Sequence, residues 1–299
     1  MHTTTSTQTV TDNELHLIQT SIEEVTKELK AINPSKAYGP DQIPGILLKE
    51  CTSEIASSLT RLIKLSLRVG CVPKDWKCAN TVAVFKKGNK EEVINYRRIS
   101  LLSLVSKIAE RCVFAHFYSL IAGNIYPLQH GFVKGRSTIT QLLDTVHRIT
   151  SAIDQGVQTD VAFLDFSKAF DSVLHPYLIS KRDQIGIKGS LLQWFTSYLD
   201  NRVQRVVIDG KTLSGYRSPR ESRRAPCLVL LCLCHSSMTC AVSQCSTLAL
   251  FADDAKCFRT IRSASDCVPF QGDIDNLVDW SDVWKMAFNM DKINARFAR

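Results

Sequence analysis

The sequence predicts an α+β fold, and three observations carry that prediction. Helical stripes and short apolar runs mix along the chain without the regular βα repetition of a parallel sheet. Val161 to Phe166 is almost wholly apolar, as expected of a strand covered on both faces. Leu248 to Phe251 is a second apolar run, which meets the adjacent pair Asp253-Asp254 and leaves as a second short strand, Ala255 to Phe258.

Residues 1–20 read as a disordered leader, because the Thr-, Ser- and Gln-rich start buries little apolar area. Ser21 and Glu24 have the spacing of a capping box, and Ile22, Val25, Leu29 and Ile32 mark the buried face of the helix that follows. Asn33-Pro34 ends it, and Gly39-Pro40-Asp41 is a turn. Ile55, Leu59, Ile63 and Leu67 define a second helix, closed by Gly70. Thr81 to Phe85 reads as a strand entering the basic turn Lys86 to Lys90. Leu102 to about Ile121 reads as a long amphipathic helix. Beyond Phe166, helices are expected from His175 and again through Leu191, Trp194, Phe195 and Tyr198. Arg202 to Ile208 reads as a strand, with Asp209-Gly210 as a hairpin turn. Asp273 to Phe288 is helical in pattern, and no internal repeat is visible.

With 44% hydrophobic and 22% charged residues over 299 positions, the chain has material for a sizeable core. The net charge of +8 favours an anionic partner, of which nucleic acid is the commonest. Residues 217–224 hold four arginines against one glutamate, so +3 of that charge is local and +5 belongs to the rest. Of the 11 cysteines, five (Cys227, Cys232, Cys234, Cys240 and Cys245) crowd one segment with no familiar zinc-ligand spacing. The others show no paired C-x-x-C spacing, and no secretory signal precedes them, so reduced thiols and a nuclear or cytoplasmic, intracellular location are expected. The apolar run Ala225 to Cys234 falls well short of the ~20 residues of a membrane span.

Two adjacent carboxylates at a turn repel each other and stay ionised cheaply only beside a cation. Asp253 and Asp254 therefore read as a metal turn, and Asp165 is the natural third donor. Six stretches then carry a resemblance: Lys36 to Pro44; Val72 to Lys77 with Phe85-Lys86-Lys87-Gly88; Asn95-Tyr96-Arg97-Arg98-Ile99-Ser100-Leu101; Gln129-His130-Gly131-Phe132; Phe163-Leu164-Asp165-Phe166-Ser167-Lys168-Ala169-Phe170-Asp171; and Phe251-Ala252-Asp253-Asp254. In this order and spacing the chain resembles the reverse transcriptase domain of a non-LTR, jockey-like retrotransposon, over nearly its whole length from about Ser21.

The resemblance implies a right-hand polymerase fold, with fingers and the first part of the palm in 21–150, palm in 151–299, and the thumb absent. It implies RNA-directed DNA synthesis, with an RNA template, a DNA primer and dNTPs as partners and no protein or membrane partner. Two Mg²⁺ ions would be held by Asp165, Asp253 and Asp254, Mn²⁺ being an alternative; a hard cation suits all-oxygen ligands. Lys86 and Arg97 would hold the triphosphate, Arg97 through its bidentate fork. Phe170 would lie beneath the incoming sugar, and Lys292 is a candidate general acid for pyrophosphate. Gln129, Arg136 and Ser137 would lie along the template path, a structural role being the other reading for them. Asp171 reads as structural. A metal-dependent nuclease could use the same carboxylates, but no histidine lies near either aspartate motif in sequence.

The chain departs from the family in residues 217–242. Where the family has a stretch resembling G-V-P-Q-G and later N-D-L, this chain has an arginine cluster and a Leu/Cys-rich run. Read from the third base of each codon, Arg217-Ser218 can give Val, Ser218-Pro219 Pro, Pro219-Arg220 Gln and Arg220-Glu221 Gly. Met238-Thr239 must give Asp. The segment thus reads as translated out of frame, which together with the absent thumb predicts a copy with little or no activity; a catalytically dead nucleic-acid-binding remnant is the alternative reading. Two lesser departures are Arg98 and Ala83, where the family has prolines.

Overall fold

The computed structural model describes residues 17–166, 187–208, 211–212, 242, 245–252, 254–284, 287–289 and 294–298. In chain order the helices are α1 (Ile22–Lys30), α2 (Gly45–Glu50), α3 (Thr52–Val69), α4 (Leu104–Ile121), α5 (Thr138–Asp154), α6 (Gly189–Leu199) and α7 (Cys267–Trp284). The strands are β1 (Cys78–Phe85), β2 (Tyr96–Leu102), β3 (Gln158–Asp165), β4 (Val203–Ile208), β5 (Lys211–Thr212), β6 (Thr247–Phe251), β7 (Asp254–Ile261) and β8 (Asn294–Ala298). Helices and mostly antiparallel strands mix, as the α+β reading expects. The chain divides into two compact units, each drawn from two separate stretches. Among the described residues, no helix is long and apolar enough to cross a membrane.

The first unit joins α1–α4, β1 and β2 to α6, β4 and β5. α1 starts where its capping box dictates: the Glu24 amide donates to Ser21 Oγ at 3.2 Å and the Ser21 amide to Glu24 Oε2 at 2.9 Å. Val25, Leu29 and Ile32 are buried as the stripe requires, but Ile22 is 46% exposed. It sits in the first turn, and Ile18 and Thr20 just ahead of the helix are buried. α3 stops at Gly70, whose φ of 70° is the left-handed conformation glycine adopts without penalty. α3 packs against α1 and α6, and Trp194 Nε1 donates to Ser66 Oγ at 2.9 Å.

The sheet of this unit has the order β2-β1-β4-β5, with β4 parallel to β1. Leu102 ends β2, so α4 begins two residues later than the sequence pattern suggests. Tyr96 to Leu102, recognised in the sequence as a motif, is itself a strand. Ile208 pairs with Lys211, which brackets the expected turn 209–210; the turn residues themselves lie outside the described ones.

The second unit carries an antiparallel sheet of order β6-β7-β3-β8, with α5 and α7. Register decides which residues share a face. Val161, Phe258 and Thr247 pair across the three strands, as do Phe163, Lys256 and Ala249, and then Asp165, Asp254 and Phe251. α5 covers the far end of this face, where Ile149 packs on Val161, Ala249 and Phe258. Toward the aspartate end the opposite face is apolar, with Ala162, Leu164, Leu248, Leu250, Ala255 and Cys257 all buried, while the paired Asp160 and Arg259 occupy its far end. α7 lies on that side, with Arg259 near Asp273 (3.7 Å) and Phe166 against Trp280 and Phe288. The expected helix from His175 lies outside the described residues, as does nearly all of 217–242.

Candidate active site

The acidic end of the β3–β7–β6 face is built by strand register. Asp165 is the last residue of β3 and Asp254 the first of β7, and the two are direct cross-strand partners. Side chains opposed in this way have Cβ atoms about 4.5–5.5 Å apart, and like charges so placed repel. Asp253, between Ala252 and Asp254, lies outside the described residues. Among the described residues no three His, Cys, Asp or Glu side chains cluster.

β6 and β7 are joined by a two-residue connection, Phe251 pairing with Asp254. Such tight hairpins use turns whose first central residue has positive φ, and Ala252 has φ 56°. A non-glycine residue held there stores backbone strain of about 1–2 kcal/mol.

The turn is braced from below by residues 128–131. The Leu250 amide donates to the Leu128 carbonyl at 3.0 Å and the His130 amide to the Leu250 carbonyl at 2.9 Å. The Gln129 side chain, with 0% exposure, accepts at Oε1 from the Gly131 amide at 2.7 Å and the Ala252 amide at 3.2 Å. Gly131 runs so close to the turn that a Cβ there would overlap the Ala252 amide. Arg136 Nη1 donates to the carbonyls of Tyr126, Pro127 and Gln129. Ser137 caps α5, accepting from the Thr140 amide at 3.2 Å. The hydrogen bonds of Gln129, Arg136 and Ser137 thus serve the chain's own turn and helix start.

Asp165 and Asp254 open onto a cleft of about 270 Å³ whose other walls include Thr138 and Gln141 of α5, Phe163 and Lys256. Lys256 is two residues past Asp254 on the same strand face, and its Nζ donates to Gln141 Oε1 at 2.9 Å. Burial pushes the Lys256 ammonium below its usual range, and the Asp254 charge opposes that shift. Neither Gln141 nor Lys256 stands out in sequence. Gln141 lies on a helix whose pattern is not apolar where it is buried, and Lys256 follows a motif that ends at Asp254.

Lys86 and Arg97 belong to the first unit. Val84 is the partner of Arg97, and the Lys86 amide continues the ladder by donating to the Asn95 carbonyl at 2.8 Å. Strand alternation therefore puts Lys86 and Arg97 on one face of the β1–β2 hairpin, both exposed. The loop between them is strapped by Tyr96, whose hydroxyl donates to the Lys90 carbonyl at 2.8 Å and whose ring meets Phe85 edge-on. Phe170, Asp171 and Lys292 lie outside the described residues.

A sheet that sets two aspartates side by side beneath a strained turn, beside a lysine-bearing cleft, agrees with what family comparison finds. The reverse transcriptase (RNA-dependent DNA polymerase) family matches residues 85–297, and the chain belongs to that family. Its relatives lie among the RNA-directed DNA polymerases of non-LTR mobile elements. The chain is 27% identical over 297 residues to the RNA-directed DNA polymerase from mobile element jockey of Drosophila melanogaster, covering 95% of this chain and 32% of that protein. It is 31% identical over 205 residues to the probable RNA-directed DNA polymerase from transposon BS of the same species, covering 68% and 22%. A third relative is the probable RNA-directed DNA polymerase from transposon X-element, 29% identical over 282 residues. The chain spans about a third or less of the length of these three relatives.

Proposed function

We propose that this chain is built for RNA-directed DNA synthesis, adding dNTPs to a primer 3′-end along an RNA template, and that the copy has lost most of that activity. The second unit is read as palm and the β1–β2 hairpin as part of the fingers. The observation that carries the reading is the cross-strand pairing of Asp165 with Asp254 in a chain of this family. Two carboxylates so placed favour a cation, and an all-oxygen donor set suits Mg²⁺, or Mn²⁺ in its place. Asp165, Asp253 and Asp254 would hold two such ions, which when bound activate the attacking hydroxyl and neutralise the triphosphate. Arg97 and Lys86 are the proposed contacts for phosphate oxygens, Phe170 would meet the sugar, and Lys292 would supply a proton to the leaving pyrophosphate. The loss of activity is assigned to residues 217–242, where the out-of-frame reading replaces a segment of the nucleotide and template pocket.

Primer extension on poly-rA/oligo-dT tests both halves. The native chain is expected at background, and a chain with codons 217–242 returned to the family frame is expected to extend. On the restored chain, Asp165→Asn or Asp254→Asn should lower extension by at least about 10³-fold. Robust extension by the native chain overturns the inactivity. Restored-chain extension that survives Asp165→Asn overturns the site, and strand cleavage with Mg²⁺ but no dNTP supports a nuclease instead.

A further inference from the structure

We infer that Lys256, held in place by Gln141, is a contact for a phosphate group of the polymerase's substrate, strand or triphosphate, in the cleft beside Asp165 and Asp254. The inference rests on the polymerase reading above and adds to it a residue pair outside the aspartate motif. Lys256 shares a strand face with Asp254 and lines the same cleft as both aspartates. Its ammonium is not left to wander as a surface lysine is. It is fixed at 2.9 Å by Gln141 Oε1, and that glutamine is only 4% exposed.

A neutral amide positions an ammonium but does not neutralise it, and a half-buried cation favours an anion nearby. Without metal, the Asp254 carboxylate supplies that charge. Once Asp165 and Asp254 serve as ligands to divalent cations, their charge is taken up and the net charge around Lys256 turns positive. The anion that belongs there is then the substrate's, and for a polymerase it is a phosphate oxygen. Two further features of the cleft point the same way. Gln141 Nε2 is buried with no hydrogen-bond partner among the described residues, so the wall holds an unused donor beside the ammonium. Thr138, the first residue of α5, also lines the cleft, so a helix amino terminus with its favourable dipole borders it.

Phosphate oxygens could come from the primer–template backbone or from the incoming triphosphate, and the two sources separate in binding experiments that need no turnover. Fluorescence anisotropy of a labelled oligo-dT/poly-rA duplex, with Mg²⁺ and without dNTP, reads the first. Equilibrium dialysis of radiolabelled dTTP reads the second. Both use the full chain with codons 217–242 returned to the family frame as parent, with Lys256→Met, Lys256→Arg and Gln141→Leu variants checked for parent-like melting.

If the strand is the source, Lys256→Met weakens duplex binding about tenfold and lowers its log–log salt slope by about 1, with dTTP binding unchanged. If the triphosphate is the source, only dTTP binding falls. In either case Lys256→Arg retains most of the affinity, and Gln141→Leu gives a smaller loss by releasing the ammonium. A folded Lys256→Met variant with the parent's affinity and salt slope for the duplex, and the parent's dTTP binding, overturns the inference while leaving the polymerase reading intact. A frame-restored parent that binds neither duplex nor dTTP overturns both.

Discussion

Gly131→Ala tests whether the aspartate turn is set by the backbone that braces it. A Cβ at position 131 would stand 2.9 Å from Ala252 Cα and from the Phe251 carbonyl carbon, and closer still to the Ala252 amide, whereas ordinary contact begins near 3.4 Å. All three atoms are backbone, so no side chain can swing aside. Gln129 grips Gly131 and Ala252 with one oxygen, which also prevents the two segments from separating freely. The turn must therefore recede from residues 128–131 by about 1 Å, and overpacking of this kind costs about 1–3 kcal/mol. For a chain of this size that lowers Tm by about 1.5–2 °C per kcal/mol, which thermal melting of the native chain reads directly. The same shift moves Asp254 relative to Asp165. Displacements of that order near reacting atoms cost about 10²-fold in rate, equivalent to roughly 2.7 kcal/mol, which primer extension by the frame-restored chain measures. A variant that melts within a degree of the parent and extends within twofold of it would show that the turn does not depend on this close approach.

Two other perturbations have definite signs. Glu110 is half-buried between Ser106 and Tyr198, both of whose hydroxyls donate to its Oε1. Burial raises its carboxyl above the ordinary value of 4.5, against the opposing pull of Tyr198, Arg202, Ser106 and Lys107. A folded-state value above the unfolded one means that the stability it contributes is full below about pH 4.5 and is lost as pH rises through the folded value. Glu110→Gln keeps the acceptor oxygen and removes the ionisation, so it should gain on the parent as pH rises from 4.5 to 8; a melting difference constant with pH would refute this. Ala252→Gly should relieve the positive φ of the turn and raise stability by about 0.5 kcal/mol, the αL relief slightly exceeding the added unfolded-state entropy. A measured loss of more than about 1 kcal/mol would show that the Ala252 conformation is not strained.

Features fixed by short-range chemistry could be read from the sequence. The Ser21–Glu24 box, the Gly70 stop and the apolar run of β3 each depend on residues within a few positions of one another. The two sites where the family's prolines are missing show how far such reading reaches. Ala83 and Arg98 are cross-strand partners. The bond from the Lys86 amide to the Asn95 carbonyl, with antiparallel alternation, makes theirs a non-hydrogen-bonded pair. A proline at either position would remove no bond from this ladder, so the substitutions leave the hairpin free to form. The sequence shows both departures, but only the register shows that they face each other.

What brings the aspartates together was far less legible, because it is made of buried polar contacts that follow no period. α5 leaves no apolar stripe of buried residues in the sequence for this reason. Its apolar residues Ile139, Leu142, Leu143 and Val146 are exposed, while two of the positions it buries are the polar Gln141 and Thr145. A hydrophobic pattern reports the wrong face of such a helix. Gln129 belongs to a recognised motif, yet its partner Ala252 lies more than a hundred residues away, and only the folded chain shows that the side chain clamps the aspartate turn. The same holds for Gln141 and Lys256, joined across a similar separation. Apolar burial places β3, β6 and β7 in one sheet, and the register then sets Asp165 opposite Asp254. The finer placement of the turn falls to Gln129, Gly131 and a strained alanine, whose effects are larger than their local sequence signal.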